Sequence, residues 1–162
     1  MSIRKLVLTL LAAAAPALWA QSSTTGSTVT RTQDFPPVGL AASETAQITA
    51  VNIAAASSSG TAASCTGSIS FLNSSGTVIG TATTYTLATN QSKSVSVPYS
   101  SAGATGRTEI RGVLTQTITE GSGVPCELLV SLETFDTSTG VTHVYLTNGG
   151  YGPEQGGGGP GH

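Results

Sequence analysis

The sequence predicts an all-β domain, a sandwich of about seven short strands, behind a cleavable leader. Three observations carry this. Apolar residues between Thr45 and Thr147 recur with period two, the spacing of a strand with one buried face. Clusters of Asn, Asp, Ser and Gly punctuate those runs at short intervals. No segment after the leader carries a convincing helical period.

The leader comes first. Ser2-Ile3-Arg4-Lys5 is a positive head, Leu6 to Ala15 is apolar apart from Thr9, and Pro16-Ala17-Leu18-Trp19-Ala20 gives way to polar Gln21-Ser22-Ser23. This is the layout of a secretory signal peptide over residues 1–20. Its apolar core is too short to span a bilayer. Cleavage is expected after Ala20; Ala15-Pro16-Ala17 offers a second site with a better small-x-small pattern. The expected location is secreted: periplasmic, extracellular or cell-surface. No membrane insertion is expected once the leader is removed.

Removing twenty of the 162 residues leaves a mature chain of 142, one domain by length. Residues 21–33 read as a flexible Ser/Thr-rich arm with few apolar anchors. The sandwich domain is expected over residues 34–147. Phe35, Val38 and Leu40 pack at its entry, where Pro36 and Pro37 hold the chain extended.

Seven strand-like runs follow. In Thr45 to Ile53 the apolar phase changes between Ile48 and Val51, which predicts a bulge or a two-sided strand. Cys65 to Leu72 alternates cleanly and is joined through Asn73-Ser74-Ser75-Gly76 to Thr77 to Leu87, a hairpin. Ser92 to Tyr99 turns Val95, Val97 and Tyr99 inward, with Pro98 marking an edge or a strand end. Arg107 to Thr119 is the longest run; Ile110, Leu114 and Ile118 share one face, and Glu109 and Arg111 the other. Cys126 to Phe135 is apolar on its even face. Asp136 to Gly140 is a turn, and Val141 to Thr147 closes the domain. Residues 148–162 hold eight glycines in fifteen positions and are expected to be a disordered tail.

Cys65 and Cys126 are the only cysteines. Cys65 shares a strand face with Gly67, Ile69 and Phe71, and Cys126 with Leu128, Val130 and Leu132. Two inward-facing thiols in an exported chain most simply pair. The bond closes a loop of about 62 residues, nominally worth about 4 kcal/mol in chain entropy. Placed on runs far apart in sequence, it suits a bridge between two sheets. The fold class is then an immunoglobulin-like β-sandwich of about seven strands, with one inter-sheet disulfide and disordered termini. Barrel closure has the same periodicity.

Charge and motifs narrow the function. After leader removal four basic residues face eight acidic ones, which argues against nucleic acid as a partner. Glu127 and Glu133 sit about 20 Å apart along one strand, too far for a paired-carboxylate hydrolase. His143 reads as an ordinary strand histidine, in phase with Val141 and Tyr145. No G-x-S-x-G elbow, phosphate loop or C-x-x-C is present. Asp136-Thr137-Ser138-Thr139-Gly140 offers a calcium ion a single carboxylate, so it reads as a turn capped by Asp136. The sequence therefore assigns no catalytic residue, no cofactor and no metal site. It predicts a non-enzymatic protein whose one assigned pair is the disulfide Cys65–Cys126.

Ser and Thr supply 45 of the 142 mature residues. That is the texture of an extracellular structural or cell-surface interaction protein, with an extracellular protein, a glycan or other copies of itself as partners. Two alternatives stand beside it. A carbohydrate-binding module needs a platform of exposed aromatics, for which Tyr85, Tyr99 and Tyr145 are the candidates. A self-assembling filament subunit needs a segment for strand addition, and Ser27 to Arg31 has the β-branched character for it.

Several segments also carry a resemblance. They are Val38-Gly39-Leu40-Ala41-Ala42-Ser43-Glu44-Thr45-Ala46, Cys65 before Ile69-Ser70-Phe71-Leu72, Arg107-Thr108-Glu109-Ile110-Arg111, and Cys126 through Ser131-Leu132-Glu133-Thr134-Phe135-Asp136 with Thr139-Gly140. Over roughly residues 35 to 147 the chain resembles small secreted, largely uncharacterised β-sandwich proteins of environmental bacteria. The resemblance implies a scaffold of turns, core strands and paired cysteines, and no catalytic residue.

Overall fold

The structure is a computed structural model that describes residues 27–55, 64–119 and 126–148. The expected leader (1–20), the first part of the arm and nearly all of the Gly-rich tail lie outside the described residues, as do segments 56–63 and 120–125. In chain order the described strands are β1 Thr28–Asp34, β2 Val38–Leu40, β3 Glu44–Asn52, β4 Cys65–Asn73, β5 Val78–Leu87, β6 Ser92–Pro98, β7 Thr108–Thr119, β8 Leu128–Asp136 and β9 Thr142–Asn148. A single 3-10 turn, Tyr99–Ala102, follows β6.

All pairings are antiparallel. One sheet has the order β1-β7-β4-β5, with β2 also on β7; the other has the order β6-β3-β8-β9. The two face each other as a sandwich. The seven runs read from the sequence are β3 to β9. The inward phases agree as well: Ile69 lies beside Leu114, Ile48 beside Leu132 and Ala50 beside Val130, all buried. At about 25 cal/mol per Å² of apolar surface removed from water, this two-sided core is what holds the sheets together.

One expectation is corrected. Thr28–Gln33, within the segment 21–33 read as a flexible arm, form β1 together with Asp34 and pair along their whole length with Thr119–Val113 of β7. The arm lacks an apolar face, and β7 supplies the backbone partners that its own sequence cannot advertise. β2 was equally invisible, because three residues are too few to show a period. Of the two forms expected of β3, a bulge or a two-sided strand, the register leaves the second: Thr45–Val51 pairs without a break with both β6 and β8. Val51 lies on the outer face beside Leu129, so the apparent change of phase is an apolar residue on the solvent side. The ladder shifts instead between β4 and β5 near Ile69/Phe71, where Gly80 has φ +71°, and between β8 and β9 at Thr134/Phe135.

The two hairpin turns share one device. Asn73 Oδ1 accepts from Ser75 N, Ser75 Oγ and Thr77 N, with Gly76 at φ +80°. Asp136 Oδ1 accepts from the backbone and hydroxyl groups of Ser138 and Thr139, with Gly140 at φ +71°. A short side chain that caps its own turn, followed by a residue free to take positive φ, specifies both reversals. Pro98 ends β6, an edge strand, as its missing donor requires.

Gly67 of β4 has a packing role. A Cβ there would lie 1.9 Å from the Thr115 carbonyl oxygen and 2.5 Å from the Tyr85 hydroxyl. The tyrosine ring occupies the space that the missing side chain leaves, and its hydroxyl donates to Thr115 O at 2.8 Å. Burial pushes the Tyr85 phenol up to about 12, so it stays a donor across the ordinary pH range. Gly67→Ala is expected to lower unfolding free energy by about 1–3 kcal/mol, read by chemical denaturation. A change under about 0.5 kcal/mol would mean that the contact relaxes freely.

Candidate functional site

The disulfide is the one site the sequence assigned. Cys65 opens β4 in the first sheet and Cys126 lies two residues before β8 in the second, with their Cα atoms 5.3 Å apart. The bond therefore crosses the sandwich, and Cys65 is fully buried. Close by, buried Asn52 at the end of β3 donates to Leu87 O at 2.9 Å and accepts from Ala54 N at 3.0 Å. Together they tie both sheets at one end.

A second cluster forms at the opposite end of β3 and was not legible beforehand. The His143 Nδ1 pairs with Glu44 Oε1. Glu44 Oε2 accepts from Ala41 N at 2.6 Å. The shift of the β8–β9 ladder at Thr134/Phe135 leaves Thr142 and His143 both opposite Phe135. Such a bulge re-aims side chains, which is how His143 comes to reach β3 across β8. The Arg107 guanidinium covers the spot where Gly39 lacks a side chain, and its charge acts on Glu44 as well. The hydrogen bond from His143, then that from Ala41 N, holds the Glu44 carboxyl below its ordinary value of 4.5. Neighbouring Asp136 is held lower still by the Ser138 hydroxyl and the Thr139 amide and hydroxyl. The sequence presents His143 as an ordinary strand histidine and gives Glu44 no partner. They are 99 positions apart, so only the fold joins them.

An acid on Nδ1 orients an imidazole and leaves Nε2 available, as in the base–orienter half of a hydrolytic triad. Among the described residues no serine hydroxyl is hydrogen-bonded to the His143 ring; Ser138 serves the Asp136 turn. The arrangement is suited to holding β9 against β3. Its acid dependence has a definite sign. A depressed carboxyl contributes stability that is present above its unfolded value and lost as pH falls through the lower folded value. Wild type is therefore expected to melt above Glu44→Gln at pH 7, with the gap closing as pH falls below about 4.5. Melting curves of the two proteins from pH 7 to 2.5 check this; a gap that widens on acidification contradicts it.

Two outer faces complete the surface. On the first sheet, register places Thr30, Thr117, Thr66 and Thr86 in one row across β1, β7, β4 and β5, and Thr32, Thr115, Ser68 and Thr84 in the next. On the second sheet one row runs Ser96, Gln47, Glu133, Tyr145. Ser96 Oγ donates to Gln47 Oε1 at 2.8 Å, and Gln47 Nε2 donates to Glu133 Oε1 at 3.0 Å. Tyr145, at the end of that row, is 62% exposed.

The three tyrosines named as a sugar platform are not brought together. Tyr85 is core, Tyr99 donates to the Ala104 and Gly106 carbonyls, and Tyr145 stands alone on the outer face. Glu109 and Arg111, read as sharing one face of β7, are not an ion pair. Arg111 lies 3.7 Å from Asp34 instead, a half-exposed contact worth about 0–1 kcal/mol. Glu109 and Arg111 line an open cleft of about 400 Å³ beside the Asn73–Gly76 turn. Among the described residues no group of three or more His, Cys, Asp or Glu converges to hold a metal, and no helix is long and apolar enough to cross a membrane.

The fold and these sites define a disulfide-linked, two-sheet antiparallel sandwich. A scan against protein-family models finds no match to the chain, and no curated protein matches it.

Proposed function

We propose that this chain is a secreted, non-catalytic protein with a structural or cell-surface interaction role. The observation that carries the reading is the cross-sheet disulfide, a bond that persists in oxidising compartments and is rare in the cytosol. The hydroxyl-rich rows of the first sheet support it, since they keep β-propensity while facing water with little charge. Kinship with the small secreted sandwiches of environmental bacteria belongs to the same reading. So does an immunoglobulin-like arrangement: β3 pairs with β6 in one sheet and β4 with β7 in the other, the pairing of the four central strands of that fold. The test is fractionation of cells that express the full chain. Mature material beginning at Gln21, outside the cytoplasm and with both thiols oxidised, is expected. Uncleaved cytosolic protein with two free thiols would overturn the reading.

A second reading, carbohydrate binding, has one observation in its favour. Tyr145 presents an exposed ring at the end of a Ser96–Gln47–Glu133 hydrogen-bonded row, an apolar platform next to fixed polar groups. Binding to soluble oligosaccharides that is lost in Tyr145→Ala, while melting temperature is kept, would favour it. Equal retention by both proteins would remove it.

A further inference from the structure

β1 and β2 are two parts of one edge strand. Both pair with β7 in the same direction, Asp34 beside Val113 and Val38 beside Ile110. Between them Phe35, Pro36 and Pro37 stand against Gly112 and Arg111, one residue too many for an unbroken ladder. Phe35 N still donates to Gly112 O at 2.9 Å. Pro36 and Pro37 have no amide hydrogen to give and are exposed. The edge strand is thus divided at the prolines into an arm, Thr28–Phe35, and a fixed remainder.

The arm has the make-up of a detachable strand. Its ladder to β7 is complete over seven residues, from Thr28 opposite Thr119 to Asp34 opposite Val113. Of β1 itself only Gln33 is buried, and Val29 is 40% exposed. Beneath it lies a cavity of about 30 Å³ bounded by Gln33, Leu114, Gln116 and Leu128. The Gln33 Nε2 is buried there without a hydrogen-bond partner. Phe35 is the exception: it is 1% exposed, with its ring beside the bare backbone of Gly112. The arm is therefore a backbone ladder with one apolar knob and one half-exposed ionic contact, Asp34 to Arg111, and it lies outside the loop that the disulfide closes.

We infer that the β7 edge and the Phe35 socket beside Gly112 form an acceptor groove for the Thr28–Phe35 arm of a second copy of this chain, exchanged at Pro36–Pro37. The groove commits to that occupant because, among the described residues, the arm is the segment that matches it in register, knob position and backbone polarity. Closed and exchanged forms contain the same arm–groove contacts, so the hinge and the protein concentration decide between them. Pro36 and Pro37 have no amide hydrogens, so the ladder to β7 is already interrupted at the point where the arm would leave it. A reciprocal exchange gives a two-fold dimer; a non-reciprocal one continues as a chain. This deepens the structural role proposed above and rests on it only for the setting in which copies meet.

The test uses the whole protein, purified. Thr30 and Thr117 are exposed cross-strand partners, within the Cα separation that a disulfide spans. Thr30→Cys and Thr117→Cys are made as separate proteins, one of them isotope-labelled. They are mixed at high concentration through an unfolding–refolding cycle and oxidised. Exchange predicts an intermolecular 30–117 link as the dominant new species, in several-fold excess over 30–30 and 117–117 links. It also predicts that the double variant Thr30→Cys/Thr117→Cys, oxidised when dilute, closes on itself and loses the concentration-dependent dimer that wild type shows in light scattering. Wild type that stays monomeric at every concentration, with the double variant closing internally, overturns the inference. Equal yields of 30–30, 117–117 and 30–117 links also overturn it. Thiol state and cell location, the tests of the secreted reading, enter neither outcome.

Discussion

Replacing both Cys65 and Cys126 with alanine is expected to lower the free energy of unfolding by about 2–5 kcal/mol. The native bond joins residues 61 positions apart and crosses between the sheets. Cutting it returns the unfolded chain to a much larger set of conformations, which the entropic account places near the upper part of that range. It also leaves two small voids, one at a fully buried position in the core. Guanidinium unfolding of the double variant against wild type measures the loss. The slope with denaturant is expected to rise, because an uncrosslinked unfolded chain exposes more surface. The unfolding midpoint of wild type should fall likewise under a strong reductant. A loss under about 1 kcal/mol would mean that the sheets hold one another without the bond, and that the cysteines serve another purpose.

Phe35→Ala is expected to cost about 3–5 kcal/mol, the range for emptying a fully buried aromatic site. Phe35 is a loop residue between two short strands, and its cost would ordinarily be guessed as small. The structure raises it for two reasons. Its ring lies within the core cluster that includes Ile48 from the opposite sheet, in space left open by Gly112. It also anchors an arm that is otherwise held by its backbone ladder and the half-exposed Asp34–Arg111 contact, so its loss should loosen β1 as well as the core. Hydrogen exchange makes the distinction: the amides of residues 28–34 should lose protection beyond the global loss, and trypsin should cut after Arg31 faster than in wild type. Val29→Ala, on the same strand but largely in water, should change stability by no more than about 0.5 kcal/mol. Similar effects at the two positions would show that the arm is not held at Phe35.

Much of the scaffold could be read in one dimension, and the reason is local. A half-buried strand writes its two faces into alternate residues, as in Leu128, Val130 and Leu132 or Ile69 and Phe71. A turn that caps itself writes its cap and its glycine a few positions apart, as in Asn73–Gly76 and Asp136–Gly140. The cysteines could be assigned because each shared the phase of apolar neighbours. β1 had no such signal. Its residues bury little beyond Gln33, and what orders it is the edge of β7, about eighty to ninety positions away. Val51 left a bulge and a two-sided strand open, because an apolar residue on an outer face looks, in sequence, like a change of phase. Tyr85 was taken for a surface candidate because the space it fills comes from Gly67, its partner on the next strand.

The linear order of residues determined the all-β class, the phase of seven strands, the turns at Asn73–Gly76 and Asp136–Gly140 and the sulfur pair, since each depends on neighbours within a few positions. The tertiary structure alone decided which strands share a sheet, that the arm becomes an edge, that Glu44 meets His143, and which tyrosine faces water. Those outcomes depend on which backbone edges remain unpaired and which glycines leave room. Such quantities arise only once distant segments have been brought side by side.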